Sequence, residues 1–442
     1  MGQELFIEIF HSGQWHKAAI FSAHGVTGTH FEDSTLEYDI DYVVKYMDSN
    51  NASHRVAINY PVNFERTTQK GWPAFLLDIL PSGPAREYWL DRLSLKDNDA
   101  AHWPLLQCAA GNAPGNIRTA SAAQYLEEMK EGIAHHPGFD RKDILEKKTD
   151  FLSYAEGCGA YIGGGSSAQG QAPKFLLSED LHGSWHVEGA LDDCETKKHW
   201  LVKMPHEKKR EYSTILRNEA AYYEVARLFG LHTGAPLIYE DDVLFVERFD
   251  RAVDVHGTQR SVKRHGLESV ASLCGMNTFG SRSVHDDICA QLVRVVDDPV
   301  KTLQEYLARD ILNIAMGNVD NHCRNTAIIK YATGEVMLSP LYDFAPMFLS
   351  PEGISRATRW ENERPTQMPD WAHIATFLES LTGEPFCAFL HETRDKIEAL
   401  PEMMKTCGVD QEIIDRRTGH IDELAYSLKT ACHEMNNSFG SG

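Results

Sequence analysis

A chain of 442 residues is longer than one hydrophobic core usually serves, so two or three domains are expected. Hydrophobic residues make up 42% and charged residues 24%, a globular mix that excludes wholesale disorder. The 64 acidic residues outweigh the 43 basic ones and leave a net charge of −21. That balance argues against nucleic-acid binding by the chain alone and favours basic proteins, or anions delivered with a metal ion, as partners.

Compartment follows from a few further features. No apolar run approaches the roughly 18 residues of a membrane span, and the opening "MGQELFIEIF" lacks the basic and apolar regions of a signal peptide. Nine scattered cysteines with no C-x-x-C point to reduced thiols and a cytoplasmic protein. His182 and His186 stand four apart, but Gly183 and Ser184 disfavour the helix that would align them, so a polar turn is expected rather than a metal pair.

In chain order, "ELFIEIF" and "KAAIFSA" flank a turn at "HSGQ", and "SHRVAINYPV" reads as a third β run. A helical stretch at "AFLLDIL" is ended by Pro81 and Gly83. Residues 1–148 form the expected first domain, stopped by the charged segment "RKDILEKKTD". The loop "YIGGGSSAQGQ" then runs into an apolar strand at "APKFLL", and "HWLVKMP" is a further strand carrying Lys203. "TILRNEAAYYEVARLFG" predicts a helix with Ala221, Val225 and Leu228 on one face and Gly230 as its stop. The strand "VLFVERFDR" closes a second domain over 149–250, and 251–442 reads as mostly helical. Within it, "TLQEYLARDILNIAMG" opens with Thr302 and Glu305 at capping-box spacing, buries Leu303, Leu307, Ile311 and Ile314, and ends at Gly317.

The most polar loop of the chain, "GNVDNHCRN", follows that helix. "NTAIIKY" and "EVMLSPLYD" then read as two strands joined through a glycine turn, delivering Asp343. A hairpin returns its ends to one side, so Asp320 and Asn325 should lie near Asp343. Two carboxylates and an amide are hard oxygen ligands, suited to Mg²⁺ with phosphates. The five-residue step from Asp320 to Asn325 also matches the kinase loop D-x-x-x-x-N, in which the acid handles the substrate hydroxyl and the amide holds metal. Each signal alone has an ordinary explanation. "GGGSSAQGQ" could be a linker, Lys203 could snorkel at a sheet edge, Glu219 could be a surface acid, and His322 could shape the loop rather than act as a base. The order is more informative: glycine-rich loop, strand lysine, helix acid able to pair with it, hinge strand, D-x-x-x-x-N, hairpin and second acid.

At these residues the chain resembles the HipA-type serine/threonine kinases of bacterial toxin–antitoxin systems. "FLLDILPSGPARE" and "LLQCAAGNAPGNI" are similar to that family's N-terminal subdomain, and "SSAQGQAPKFLL" to its Ser-x-x-Gly-x-x-x-Lys loop. "WLVKMP", "NEAAYYEVARLFGL", "VERFDR", "GNVDNHCRN" and "LSPLYDFAPM" follow in the family's order, the catalytic loop in its D-x-H-x-x-N form. The "GGGSS" run and the length of the glycine-rich segment depart from the pattern.

The resemblance implies an α+β fold: a two-lobed, protein-kinase-like structure with an extra β-rich N-terminal subdomain and a mostly helical C-terminal lobe. It implies ATP and Mg²⁺ as cofactors and transfer to a protein hydroxyl. Asp320, Lys203 and His322 fall at catalytic positions, and Asn325 and Asp343 at metal positions. Ser167, Gly170, Lys174, Lys203, Glu247, Phe249 and Asn325 fall along the nucleotide. Ser167, or Ser166, is the implied autophosphorylation site. Implied partners are a protein of the translation machinery, such as an aminoacyl-tRNA synthetase, and a small DNA-binding antitoxin of HipB type. Two rival readings stay open: a small-molecule kinase of aminoglycoside type, and a non-catalytic protein that docks a DNA-binding repressor.

Overall fold

The computed structural model describes residues 3–25, 29–131, 136–158, 174–205, 209–257, 259–280, 283–364 and 367–439. It divides into two compact units. One comprises Met1–Glu207, Leu237–Ser281 and Ala327–Val336, the other Lys208–Pro236, Arg282–Thr326 and Met337–Gly442.

The first unit opens with the expected hairpin. Strands β1 (Gln3–His11) and β2 (Gln14–Ala23) pair with His11 opposite Gln14. The two-residue turn between them places Ser12 at φ 51 and Gly13 at φ 80, the doubly left-handed geometry that matches strand twist. β3 (Ser34–Tyr38), β4 (Thr67–Gln69) and β5 (Ile117–Thr119) complete an antiparallel sheet in the order β4-β3-β2-β1-β5. Its inner face buries Ile7, Ile9 and Phe21 with Trp72, Trp89 and Trp103 in one core; each such side chain contributes roughly 1.5–3 kcal/mol of burial free energy.

Two expectations for this region are corrected. "SHRVAINYPV" is not a strand: Ala52–His54 is a single 3-10 turn, and the chain beyond it is irregular. Its buried amides are met by side chains instead of a neighbouring strand, Val56 N–H by the Tyr38 hydroxyl at 3.1 Å and Ile58 N–H by the Glu268 carboxylate at 2.8 Å. The "AFLLDIL" helix is one turn, Phe75–Asp78, and Gly83 opens the next helix, Gly83–Arg92, with proline in its first turn, where the missing N–H costs nothing.

A second sheet in this unit contains β6 (Lys174–Asp180), β7 (Trp185–Val187), β8 (Thr196–Lys203), β9 (Ile238–Glu240) and β10 (Val243–Glu247), ordered β7-β6-β8-β10-β9. Phe175, Leu177, Trp185, Val202 and Phe245 share a core with Phe139, which bridges to Trp185, and with Ile144 and Phe151 from the helices Arg141–Leu145 and Thr149–Gly157. Beyond Asp250 the chain forms a hairpin of β11 (Arg251–His256) and β12 (Gln259–Arg264), leading to β13 (Gly266–Ser269) beside β14 (Ala327–Lys330). The expected polar turn holds His182, which is exposed and whose N–H donates to Asp180, whereas His186 is buried on β7.

The second unit is helical. The helix Arg210–Phe229 ends at Gly230, φ 98, as predicted. Its buried face is only partly the expected one: Val225 is buried as expected, but Leu228 is exposed, and Leu216, Glu219, Tyr222, Tyr223, Ala226 and Phe229 point inward. The helix Pro299–Met316 starts earlier than expected: Asp298 caps it through Lys301 N–H at 3.0 Å, and Thr302 lies inside it, buried. The C-terminal helix Gln411–Phe439 gathers the helices Trp371–Thr382 and Cys387–Glu398 around Leu378, Leu390, Leu424 and Leu428. No helix among the described residues is long and apolar enough to cross a membrane.

Candidate functional site

The loop carrying Asp320 hangs from the C-terminal end of the helix Pro299–Met316, where the last carbonyls have no intrahelical partner. Here they are met by side chains. Arg417 donates to the carbonyls of Ile314 at 2.6 Å and Ala315 at 2.9 Å, and the buried Tyr222 hydroxyl donates to Met316 at 2.8 Å. Gly317 leaves the helix at φ 74, and a β-carbon there would meet Phe348 at 2.7 Å. Any side chain at this turn would be strained and would crowd Phe348.

Past that turn, Asn318 is fixed to Asn313 at 2.9 Å. Asp320 is buried, and its main-chain carbonyl accepts from the Asn325 side-chain amide at 2.8 Å. That bond aims the other end of the amide: Asn325 Oδ1 is buried and accepts no hydrogen bond among the described residues. His322 Nε2 lies 3.6 Å from Asp320 Oδ1, and its Nδ1 accepts from Arg324 N–H at 3.2 Å. Asn321 staples the loop to the chain at Ala357 and Thr358.

Asp343 has φ 51, a left-handed conformation that few residues other than glycine adopt but that aspartate tolerates. Such strain persists where surrounding structure enforces it. Its neighbours do so. The Tyr342 hydroxyl donates to the Arg324 carbonyl at 2.9 Å, and Phe344 is buried with its ring 5.4 Å from that of Tyr222. The segment bearing Asp343 is thus tied to the loop bearing Asp320 and Asn325.

Within the first unit, Lys174 and Lys203 are direct cross-strand partners of β6 and β8, and Lys203 is buried. Residues opposite each other in an antiparallel pair share a face, so the two lysines stand on the same side of the sheet. Glu247, at the end of β10, accepts from Lys198 at 2.6 Å, and Phe249 is half-buried. Ser166, Ser167 and Gly170 lie outside the described residues.

Two polar clusters were missed by reading the sequence. In the first unit, Glu188, Arg248, Asp250 and Arg251 are all buried. Burial raises the Glu188 pKa, but Arg248, His199 and Arg251 outweigh it and hold the carboxylate well below its usual range. Asp250 bonds Arg248 at 2.6 Å and Arg251 at 2.8 Å. In the second unit, buried Asp310 accepts from Arg356 at 2.8 Å and from the Trp360 indole at 2.9 Å, with His285 at 3.3 Å. Burial opposes its charge, yet these partners keep its pKa far below the normal carboxylate value. Within "VERFDR" the structural charges stand beside Glu247 and Phe249, so composition alone could not separate them.

A family profile described as the HipA-like C-terminal domain matches residues 166–406, and one described as the HipA N-terminal domain matches residues 19–120. A relative from Sinorhizobium fredii (strain NBRC 101917 / NGR234), named "Putative kinase Y4dM", is 24% identical over 350 residues, covering 75% of this chain and 77% of that protein. Among solved structures, HipA of Shewanella oneidensis MR-1, in a complex with HipB and operator DNA, superposes with a TM-score of 0.59 at 15% identity, covering 97% of both chains. That likeness shows a shared, kinase-like fold. With its C-terminal profile alone spanning more than half of the sequence, the chain belongs to the HipA-like family.

Proposed function

We propose that this protein is an ATP- and Mg²⁺-dependent kinase that phosphorylates serine or threonine hydroxyls of a protein substrate. The observation that carries this reading is Asn325 Oδ1, a buried oxygen with no hydrogen-bond partner among the described residues, five positions after the buried Asp320. Burying such an acceptor unmet costs roughly 1–3 kcal/mol, a cost that a cation would remove. An amide oxygen and a carboxylate, from Asn325 and Asp343, are a donor set that fits Mg²⁺. When bound, Mg²⁺ would neutralise phosphate charge.

The remaining roles belong to the chain's own side chains. Asp320 accepts a hydrogen bond from the substrate hydroxyl, orients its oxygen and takes its proton as transfer proceeds. His322 shapes the loop around Asp320 and is the second candidate for proton handling. Lys203 and Lys174 offer paired positive charge to nucleotide phosphates, with Gly170 and Ser167 from the sequence segment that precedes them. Glu247 and Phe249 line the adenine. Catalysis of this kind rests on positioning and charge stabilisation, with no covalent enzyme intermediate.

Family membership supports a toxin of a toxin–antitoxin pair, with a HipB-like DNA-binding protein as partner and a component of translation as target. Phosphorylation of Ser167, or Ser166, would add about −1.5 to −2 charges and repel the nucleotide phosphates, switching the enzyme off. The test is incubation with γ-labelled ATP and Mg²⁺ beside a cell lysate and, separately, a panel of aminoglycosides. Labelled protein bands are expected; label on the antibiotics alone would transfer the reading to the small-molecule class.

A further inference from the structure

Among the described residues, the ligand atoms of His30, Asp99 and His102 converge closely enough to hold a metal ion. All three belong to the first unit, remote in sequence from the residues assigned above. Asp99 opens the 3-10 turn Asp99–Ala101 and His102 begins the helix that follows, so the i, i+3 spacing turns both side chains to one side. His30 reaches them from the segment between β2 and β3.

The Nδ1 atoms of His30 and His102 are 3.1 Å apart, and each lies 3.9 Å from Asp99 Oδ1. An ordinary hydrogen bond would join the two rings but leaves the carboxylate unexplained, since 3.9 Å is too long for it to accept from either. The triangle has the size of a coordination sphere instead. Ligands at about 2.0–2.1 Å from a tetrahedral ion stand roughly 3.3 Å apart, and a small rotation of the half-exposed Asp99 side chain closes the difference. Both imidazoles are buried, while Asp99 is 54% exposed, so an ion has an entry path and room for a water ligand. Phe31 and Phe279 pack on the rings and hold their orientation.

We propose that His30 Nδ1, His102 Nδ1 and the Asp99 carboxylate bind a divalent first-row transition ion, with Zn²⁺ the best match to two imidazoles and one carboxylate. The ion staples the segment after β2 to the helix His102–Cys108. It is a structural site and takes no part in phosphoryl transfer.

The test is metal analysis of the full-length protein after dialysis against a weak chelator, followed by titration with Co²⁺. One equivalent of retained metal is expected, with a tetrahedral nitrogen/oxygen Co²⁺ spectrum and a rise in Tm on adding Zn²⁺. His102→Asn should abolish all three. Asp99→Asn changes an exposed side chain and keeps the fold; it should weaken binding by at least the 10–100-fold that loss of an outer-shell partner costs. Metal retained equally by Asp99→Asn, a thiolate charge-transfer band reporting cysteine ligation, or no retained metal in folded wild type would each overturn the proposal. Should His102→Asn not fold, Asp99→Asn decides.

Discussion

In the proposed reaction Asp320 and Asp343 do different work. Asp320→Ala should lower phosphoryl transfer by about 10²–10⁴-fold, the usual worth of a positioned acid–base group, and leave nucleotide affinity nearly unchanged. Steady-state kinetics with separate ATP titrations measures both, and wild-type turnover in the variant would remove Asp320 from its role. Asp343→Asn should abolish transfer without loss of Tm, because asparagine tolerates the left-handed conformation recorded at φ 51 while surrendering the carboxylate. A large drop in Tm would show that the charge stabilises the fold instead. The polar loop was legible in sequence because its residue types and spacing state their chemistry. The partnerless Asn325 Oδ1 was not, since it depends on an amide pinned from its other end to the Asp320 carbonyl.

Elements show where sequence patterns fail. The β1–β2 hairpin was readable from alternation around a turn with two positive-φ positions. The 53–62 stretch has the same β-branched composition, but Tyr38 and Glu268 satisfy its amides from across the unit, information no local window contains. The helix Arg210–Phe229 was found, yet its inward face was only partly placed: Val225 is buried, but so are Glu219 and two tyrosines, while Leu228 is not. The C-terminal end of the helix Pro299–Met316 depends on Arg417, more than 100 residues on. Arg417→Leu should strand two carbonyls at ~1–3 kcal/mol each and lower turnover as the Asp320 loop loosens. Differential scanning calorimetry beside kinetics tests this; an unchanged Tm would refute the capping role. The Asp310 cluster predicts an acid limit. Its folded pKa lies below the ordinary aspartate value of 3.8, so its contribution is full above that value and is lost as pH falls below it. The gap in Tm between wild type and Asp310→Asn should therefore narrow on acidification from pH 7 to about pH 3, and a gap independent of pH would contradict the charged-cluster reading.

For the whole molecule, the net charge of −21 predicts that the purified protein does not bind duplex DNA at physiological salt, and that any operator binding requires a basic partner. A mobility-shift assay with and without a co-purified partner checks this, and tight salt-sensitive binding by the protein alone would contradict it. The kinase-like fold was legible from the order of motifs, whereas the β11–β12 hairpin and the buried Arg248, Asp250 and Arg251 at its start were hidden in the charged residues of "VERFDR" and beyond. The central claim, phosphoryl transfer to protein hydroxyls by a site built on Asp320, is tested most directly by quantitative phosphoproteomics of cells expressing the wild type or Asp320→Ala at matched levels. The account predicts serine or threonine phosphosites, Ser167 or Ser166 of the chain itself among them, that rise only with the wild type; indistinguishable phosphoproteomes from the two folded proteins would contradict it.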